Sequence, residues 1–225
     1  MSPCAFDTLF EKHVPHILEN IFLSVDHEAF KACLEVNHAW NGLLKSDSFQ
    51  TKAKSLFRDE ILKDKEKLMQ ASEKGNAEEV KRLLSSGLFD ANFTSLHGGS
   101  PLNLASKNGH LVVVQMLLAK GAEPKIATAW GWTSLHTASR KGHCHIVKIL
   151  LAKGAEPNDV SICGWTPLHL ASIYGHHNVV KALLVKGATT SIATKDGWTS
   201  LHLASQNGHH NVVKVLLTQG AKSNI

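Results

Sequence analysis

Nowhere do the 225 residues string together the ~18 apolar positions that a membrane-crossing helix requires. The N-terminus also lacks a basic stretch leading into an apolar one with a small-residue cleavage site. Neither a membrane-spanning nor a secreted protein is expected. Cysteine is sparse: Cys4, Cys33, Cys144 and Cys163 stand singly, without metal-ligand spacing or a disulfide framework, which points to the cytosol, the nucleus or both. Position 2 is Ser, where a myristoylated chain would need Gly. A glycine-rich phosphate loop, a nucleophile elbow and a paired-carboxylate motif are all missing. No catalytic, cofactor-binding or metal-ligating residue is therefore assigned, and an enzyme is not expected. Basic residues form no compact stripe and aromatics make up only 6% of the chain, so a nucleic-acid partner is not expected either.

What is present is a composition of 43% hydrophobic and 19% charged residues, that of a folded protein with a real core. The formal charge of +5 is unevenly placed. Residues 1–64 carry 7 Lys and Arg against 10 Asp and Glu, and the rest carries 17 against 9, so the two parts should face different partners.

The larger part repeats. Gly109, Gly142, Gly175 and Gly208 fall 33 apart, as do Leu102, Leu135, Leu168 and Leu201, and Gly121, Gly154, Gly187 and Gly220. Within one unit, Gly164 serves a turn, Thr166 is placed as a helix N-cap and Pro167 as the first helical residue. Small residues follow on that helix, Ala171 and Ser172 here, which lets neighbouring helices approach closely. Gly175 ends it, and a second helix carries the apolar stripe Val179, Val180, Leu183 and Leu184 up to Gly187. Such a pair cannot bury its faces alone and has to stack on its neighbours.

The run Gly-Trp-Thr-Pro-Leu-His, then Ala-Ser, Gly-His, Val-Val, Leu-Leu and Gly-Ala resembles the ankyrin repeat. The resemblance implies an all-α fold, an ankyrin-repeat solenoid of helix-turn-helix units with β-turn loops, and a protein-binding role. Units are expected at 97–129, 130–162, 163–195 and 196–225, preceded by a degenerate, charged capping unit at 67–96. In the unit at 97–129, Ser100 replaces the capping Thr and Asn103 replaces His; both still hydrogen-bond, so a normal fold is expected there. The unit at 196–225 is written like an internal one, as in a fragment or in a chain whose end a partner covers.

Ahead of the repeats, helical spacing links Val14-Pro15, Ile17-Leu18, Ile21-Phe22, Phe30, Cys33-Leu34, Val36 and Trp40. So small a segment carries more large apolar groups than it can hide, which invites a partner. This order of anchors resembles the F-box, with Val14 in place of the usual Leu, over a domain set at 8–54; a plain helical cap packed on the array is the alternative. The resemblance implies docking on the Skp-type adaptor of a cullin–RING ubiquitin ligase through Pro15, Ile17, Leu18, Ile21, Phe22, Val36 and Trp40. Residues 55–66 are expected to form a charged helical linker.

Most of the fifteen histidines follow the period and are assigned to scaffold. His136, His169 and His202 lie one turn into the first helices, where an imidazole can bridge to the next unit's backbone. His145, His177 and His210 form at most a surface ladder, since no Cys or carboxylate completes a zinc set. Trp132, Trp165 and Trp198 also recur 33 apart and are expected to brace the turns.

In arrays of this kind the turn tips and the ends of the first helices carry specificity. Those positions are Leu96, His97, Trp130, Ile162, Cys163, Lys195 and Asp196 at the tips, and Lys107, Asn108, Arg140, Lys141, Ile173, Tyr174, Gln206 and Asn207 on the helices. Trp130 breaks the period and has basic and aromatic neighbours in the stack, so a partner segment with acidic and apolar residues is expected. Together these features suggest an F-box/ankyrin substrate adaptor that tethers without catalysing; the alternative is a scaffold or inhibitor that uses the array alone.

Overall fold

A computed structural model describes residues 47–85, 90–95 and 98–220. The F-box-like anchors Pro15 to Trp40, and Leu96 and His97 of the first turn tip, lie outside the described residues. The chain divides into two compact units, Met1–Glu66 and Lys67–Ile225.

Ten helices make up the described chain: α1 Asp47–Lys74, α2 Ala77–Ser85, α3 Pro101–Asn108, α4 Leu111–Ala119, α5 Ser134–Lys141, α6 Cys144–Ala152, α7 Pro167–Ile173, α8 His177–Val185, α9 Ser200–Gln206 and α10 His210–Thr218. Among the described residues there is no strand, only an isolated bridge between Ala193 and Thr199. No described helix is long and apolar enough to cross a membrane. The all-α expectation holds.

The first helix of each pair starts where its capping chemistry dictates. Ser100 leads into Pro101 and its Oγ accepts from the Asn103 N–H at 3.2 Å. Thr166 leads into Pro167; its Oγ1 accepts from the His169 N–H at 3.2 Å while its own N–H donates to His169 Nδ1 at 3.0 Å. Two otherwise orphaned donors are satisfied in one reciprocal box, a cap that contributes about 1 kcal/mol. Thr199 and His202 repeat the box, at 3.4 and 3.2 Å. Termination is equally local. Gly142 takes φ +77° after α5, a left-handed conformation that L side chains avoid.

Within the second unit the pairs stack in two rows. The first helices α3, α5, α7 and α9 contact in sequence, as do the second helices α2, α4, α6, α8 and α10. Leu102, Leu135 and Leu168 are almost wholly buried at equivalent places, with Ala105, Ala138 and Ala171 at zero exposure between them. Val113–Val114, Ile146–Val147 and Val179–Val180, with Leu117, Leu150 and Leu183, fill the second row. The buried Ser106, Ser139 and Ser172 keep the first helices close, and their hydroxyls find no partner among the described residues.

Histidine ties the pairs together in both directions. His136 Nε2–H donates forward to the Trp165 carbonyl at 3.1 Å and His169 Nε2–H to that of Ile192 at 3.0 Å; Asn103 does the same to Trp132 at 3.1 Å. This is the bridge to the next unit expected from the sequence. A second set points backward: His110, His143, His176 and His209 reach the carbonyls of Glu73, Lys107, Arg140 and Ile173 at 2.9 to 3.2 Å. In His136, Nδ1 faces the Thr133 N–H at 3.2 Å and Nε2 faces a carbonyl, which fixes the neutral Nε2–H form. Burial pushes its pKa down to about 4, against an opposing effect of the Trp165 carbonyl. Burial likewise lowers His169 and His143.

Candidate protein-binding groove

The cap and turn geometry above aims a definite set of side chains into one cleft. Each first helix ends pointing its last exposed turn the same way, so Lys107 of α3 and Arg140 and Lys141 of α5 come to line a common cleft. The turns contribute the other wall. Thr128 and Trp132 close a tight turn, the Thr128 N–H donating to the Trp132 carbonyl at 2.9 Å and Thr128 Oγ1 accepting the Trp132 N–H at 3.2 Å. This turn carries Trp130 at its tip, 70% exposed. The cleft encloses about 580 Å³ and is lined by Leu104, Lys107, Trp130, Trp132, Arg140, Lys141 and Cys163, among others. Among the described residues no carboxylate lines it.

Arg140 is held rather than loose. Its guanidinium carbon lies 5.4 Å from the Trp132 ring centroid and 5.6 Å from that of Tyr174, and its Nε–H donates to the Tyr174 hydroxyl at 3.3 Å. Two cation–π contacts and a hydrogen bond orient the planar fork, a geometry suited to pairing with carboxylate oxygens. Preorganised in this way, it costs a ligand less side-chain entropy on binding.

Of the positions expected from the sequence, the cleft brings together Lys107, Trp130, Arg140, Lys141 and Cys163, with Tyr174 supporting from the next unit. Ile162 is exposed beside Cys163 on the turn tip, and Ile173 is half-buried at the end of α7, its carbonyl taken by His209. Asn108 has a scaffold bond, its Nδ2–H donating to the Glu73 carbonyl at 3.0 Å. Lys195, Asp196, Gln206 and Asn207 are exposed in the units that follow but do not line this cleft.

Sequence reasoning missed Leu104 and Thr137 as lining residues. Both lie three residues before expected positions on the same helix, Lys107 and Arg140, and so share their face. Trp132 has more than the bracing role expected of it, because its ring both lines the cleft and flanks Arg140.

A family model for ankyrin repeats matches residues 68–161 and 156–225. The chain belongs to the ankyrin-repeat family. The match covers more than half the chain, and the helix pairs at 98–220 fall inside it. No F-box match accompanies it. Ankyrin repeats are protein-binding modules, so the array is a protein–protein interaction module and its partners are proteins.

Proposed function

We propose that the ankyrin array holds a partner segment bearing acidic and apolar side chains, and that the N-terminal anchors recruit a Skp-type adaptor, making the chain a substrate-recognition subunit of a cullin-based ubiquitin ligase. The observation that carries the first half is the cleft at Trp130, cationic at Lys107, Arg140 and Lys141, apolar at Leu104 and the two tryptophans, and without a carboxylate among its described lining residues. An aromatic and arginine pair that a partner covers is the usual composition of an interface hot spot. The second half rests on the order and spacing of Pro15, Ile17, Leu18, Ile21, Phe22, Val36 and Trp40. Tethering is the whole mechanism: a bound substrate experiences a high effective concentration of the ligase, and no residue of this chain has to perform chemistry. The place of action on this reading is the cytoplasm, the nucleus or both.

A scaffold or inhibitor using the array alone is the second reading, favoured by the family match beginning only at residue 68. Co-purification of the full chain with a Skp-type adaptor separates the two. The ligase reading expects a stable complex that Ile21→Ala with Phe22→Ala dissolves. Absence of any complex with wild-type protein leaves the scaffold reading standing and sinks the ligase one.

A further inference from the structure

The second helices present a face of one charge. Between residues 98 and 220 no Asp or Glu falls in a helix; Glu123, Glu156, Asp159 and Asp196 all lie in the connecting loops. Lys148 of α6, Lys181 of α8 and Lys214 of α10 hold one position of successive units, 33 residues apart, and all three are exposed. None of them forms an ion pair among the described residues. Each stands in mid-helix, so the dipole, which favours a cation in the last turn, does not account for it. Basic residues that make no compact stripe along the sequence are brought into line by the stacking of α6, α8 and α10.

Between α6 and α8 this row borders a cleft of about 610 Å³. Lys148, Lys181 and Lys186 line it together with Leu151, Ala182 and Val185, and no carboxylate is among its described lining residues. Val185 stands where the other units have Ala119, Ala152 and Thr218, and it is 84% exposed. Lysines held side by side without a counter-charge repel one another, and an anion seated among them relieves that repulsion. Covering Val185 adds apolar burial to the charge term. The cleft shares no described lining residue with the groove at Trp130.

We propose that this second-helix face is a docking surface for an acidic segment of a partner protein, in the polyproline II conformation, with a carboxylate at every third residue and an apolar residue beside it. Charge complementarity and register define that occupant. Packed helices lie ~8–10 Å apart. A polyproline II chain returns to the same side every third residue, having advanced ~9 Å. Successive carboxylates on one side of the segment therefore meet Lys148, Lys181 and Lys214 in turn, while the apolar residues reach Val185 and Ala182. None of the described lining residues is an Arg, Phe, Tyr or Trp on which bases stack, and a recess does not mate with a flat bilayer. A protein segment fits this chemistry better than a nucleic acid or a membrane. The proposal stands apart from the reading of the groove.

The test titrates the nitrogen-15-labelled 225-residue chain with a capped peptide of three Glu-Leu-Pro triplets. Backbone amide signals of α6, α8 and α10 should shift together and saturate. Lys148→Ala combined with Lys181→Ala should weaken binding about fivefold with circular dichroism unchanged. Serine in place of each peptide Leu should also weaken it several-fold. A chain carrying Lys148→Glu and Lys181→Glu should take instead a peptide in which Lys replaces each Glu. Unmoved amides on these helices overturn the proposal, as does a double alanine variant that binds as tightly as wild type. Tighter binding of an oligothymidylate or of phosphatidylserine vesicles to the same amides overturns it in favour of a nucleic acid or a membrane. Shifts confined to the amides of Lys107, Trp130 and Arg140 would also overturn it, while leaving the reading of the groove intact.

Discussion

Acidification should weaken the array through His136, and His136→Asn should remove that weakness. The folded protein holds this imidazole neutral, between the Thr133 N–H at 3.2 Å and the Trp165 carbonyl at 3.1 Å. Burial pushes its pKa down to about 4, while an unfolded chain protonates histidine at about 6.5. Between those values the unfolded state binds more protons, so stability is complete above about pH 6.5 and is lost as pH falls toward 4. The full difference amounts to about 3 kcal/mol, of which about 2 kcal/mol is gone by pH 5, a large share of the ~5–15 kcal/mol that holds a domain together. Asn103 shows that the substitution is tolerable in kind: it makes the equivalent bond to the Trp132 carbonyl at 3.1 Å and does not titrate. Urea unfolding of wild type and His136→Asn at pH 7.5, 6 and 5 reads the effect. The wild type should lose about 2 kcal/mol more than the variant between the first and last of these. His169 contributes acid sensitivity to both proteins, so only the difference is diagnostic. Equal losses in the two proteins would refute the neutral, buried bridge at His136.

Other consequences are local and separable. Gly142→Ala and Gly154→Ala both force an alanine to φ near +80°, but only the first pushes a Cβ to within 2.6 Å of His176, so it should cost more than the ~1 kcal/mol expected for the second. Equal shifts in midpoint would mean that the histidine moves aside freely. Ser139→Ala should raise the midpoint slightly, because it removes a buried hydroxyl without a partner among the described residues, whereas Ser100→Ala should lower stability by about 1 kcal/mol through loss of a helix cap. Leu150→Ala should cost about 2–5 kcal/mol by opening a cavity at a fully buried position of α6; a cost below 1 kcal/mol would contradict close packing of the second-helix row.

Much of this architecture is legible in the sequence because its determinants are local. Thr166-Pro167 and Ser100-Pro101 specify helix starts through backbone groups within three residues, and Gly142 specifies a stop through its own φ. The forward bridge from His136 was also readable, since its place one turn into a helix directs it to the next unit. The backward set was not: His143 reaches Lys107 across 36 residues, and nothing near either residue announces the pairing. The clamp on Arg140 was hidden for the same reason, since it joins Trp132 of its own unit to Tyr174 of the next. The charged stretch before the repeats is also instructive. No Gly or Pro interrupts residues 47–74, and α1 runs unbroken through the positions at which a linker and a first unit were expected to begin. The two compact units nevertheless part between Glu66 and Lys67, with no capping or stop residue of the helix to mark the place.

The groove is where the account is most exposed to experiment. Affinity capture with the 225-residue chain, followed by mass spectrometry, should recover a protein whose binding Trp130→Ala combined with Tyr174→Ala abolishes, while circular dichroism shows the array still folded. Loss of binding with the fold intact is the outcome expected of a docking surface centred on Trp130 and the clamped Arg140. Undiminished binding by the doubly substituted array would contradict it.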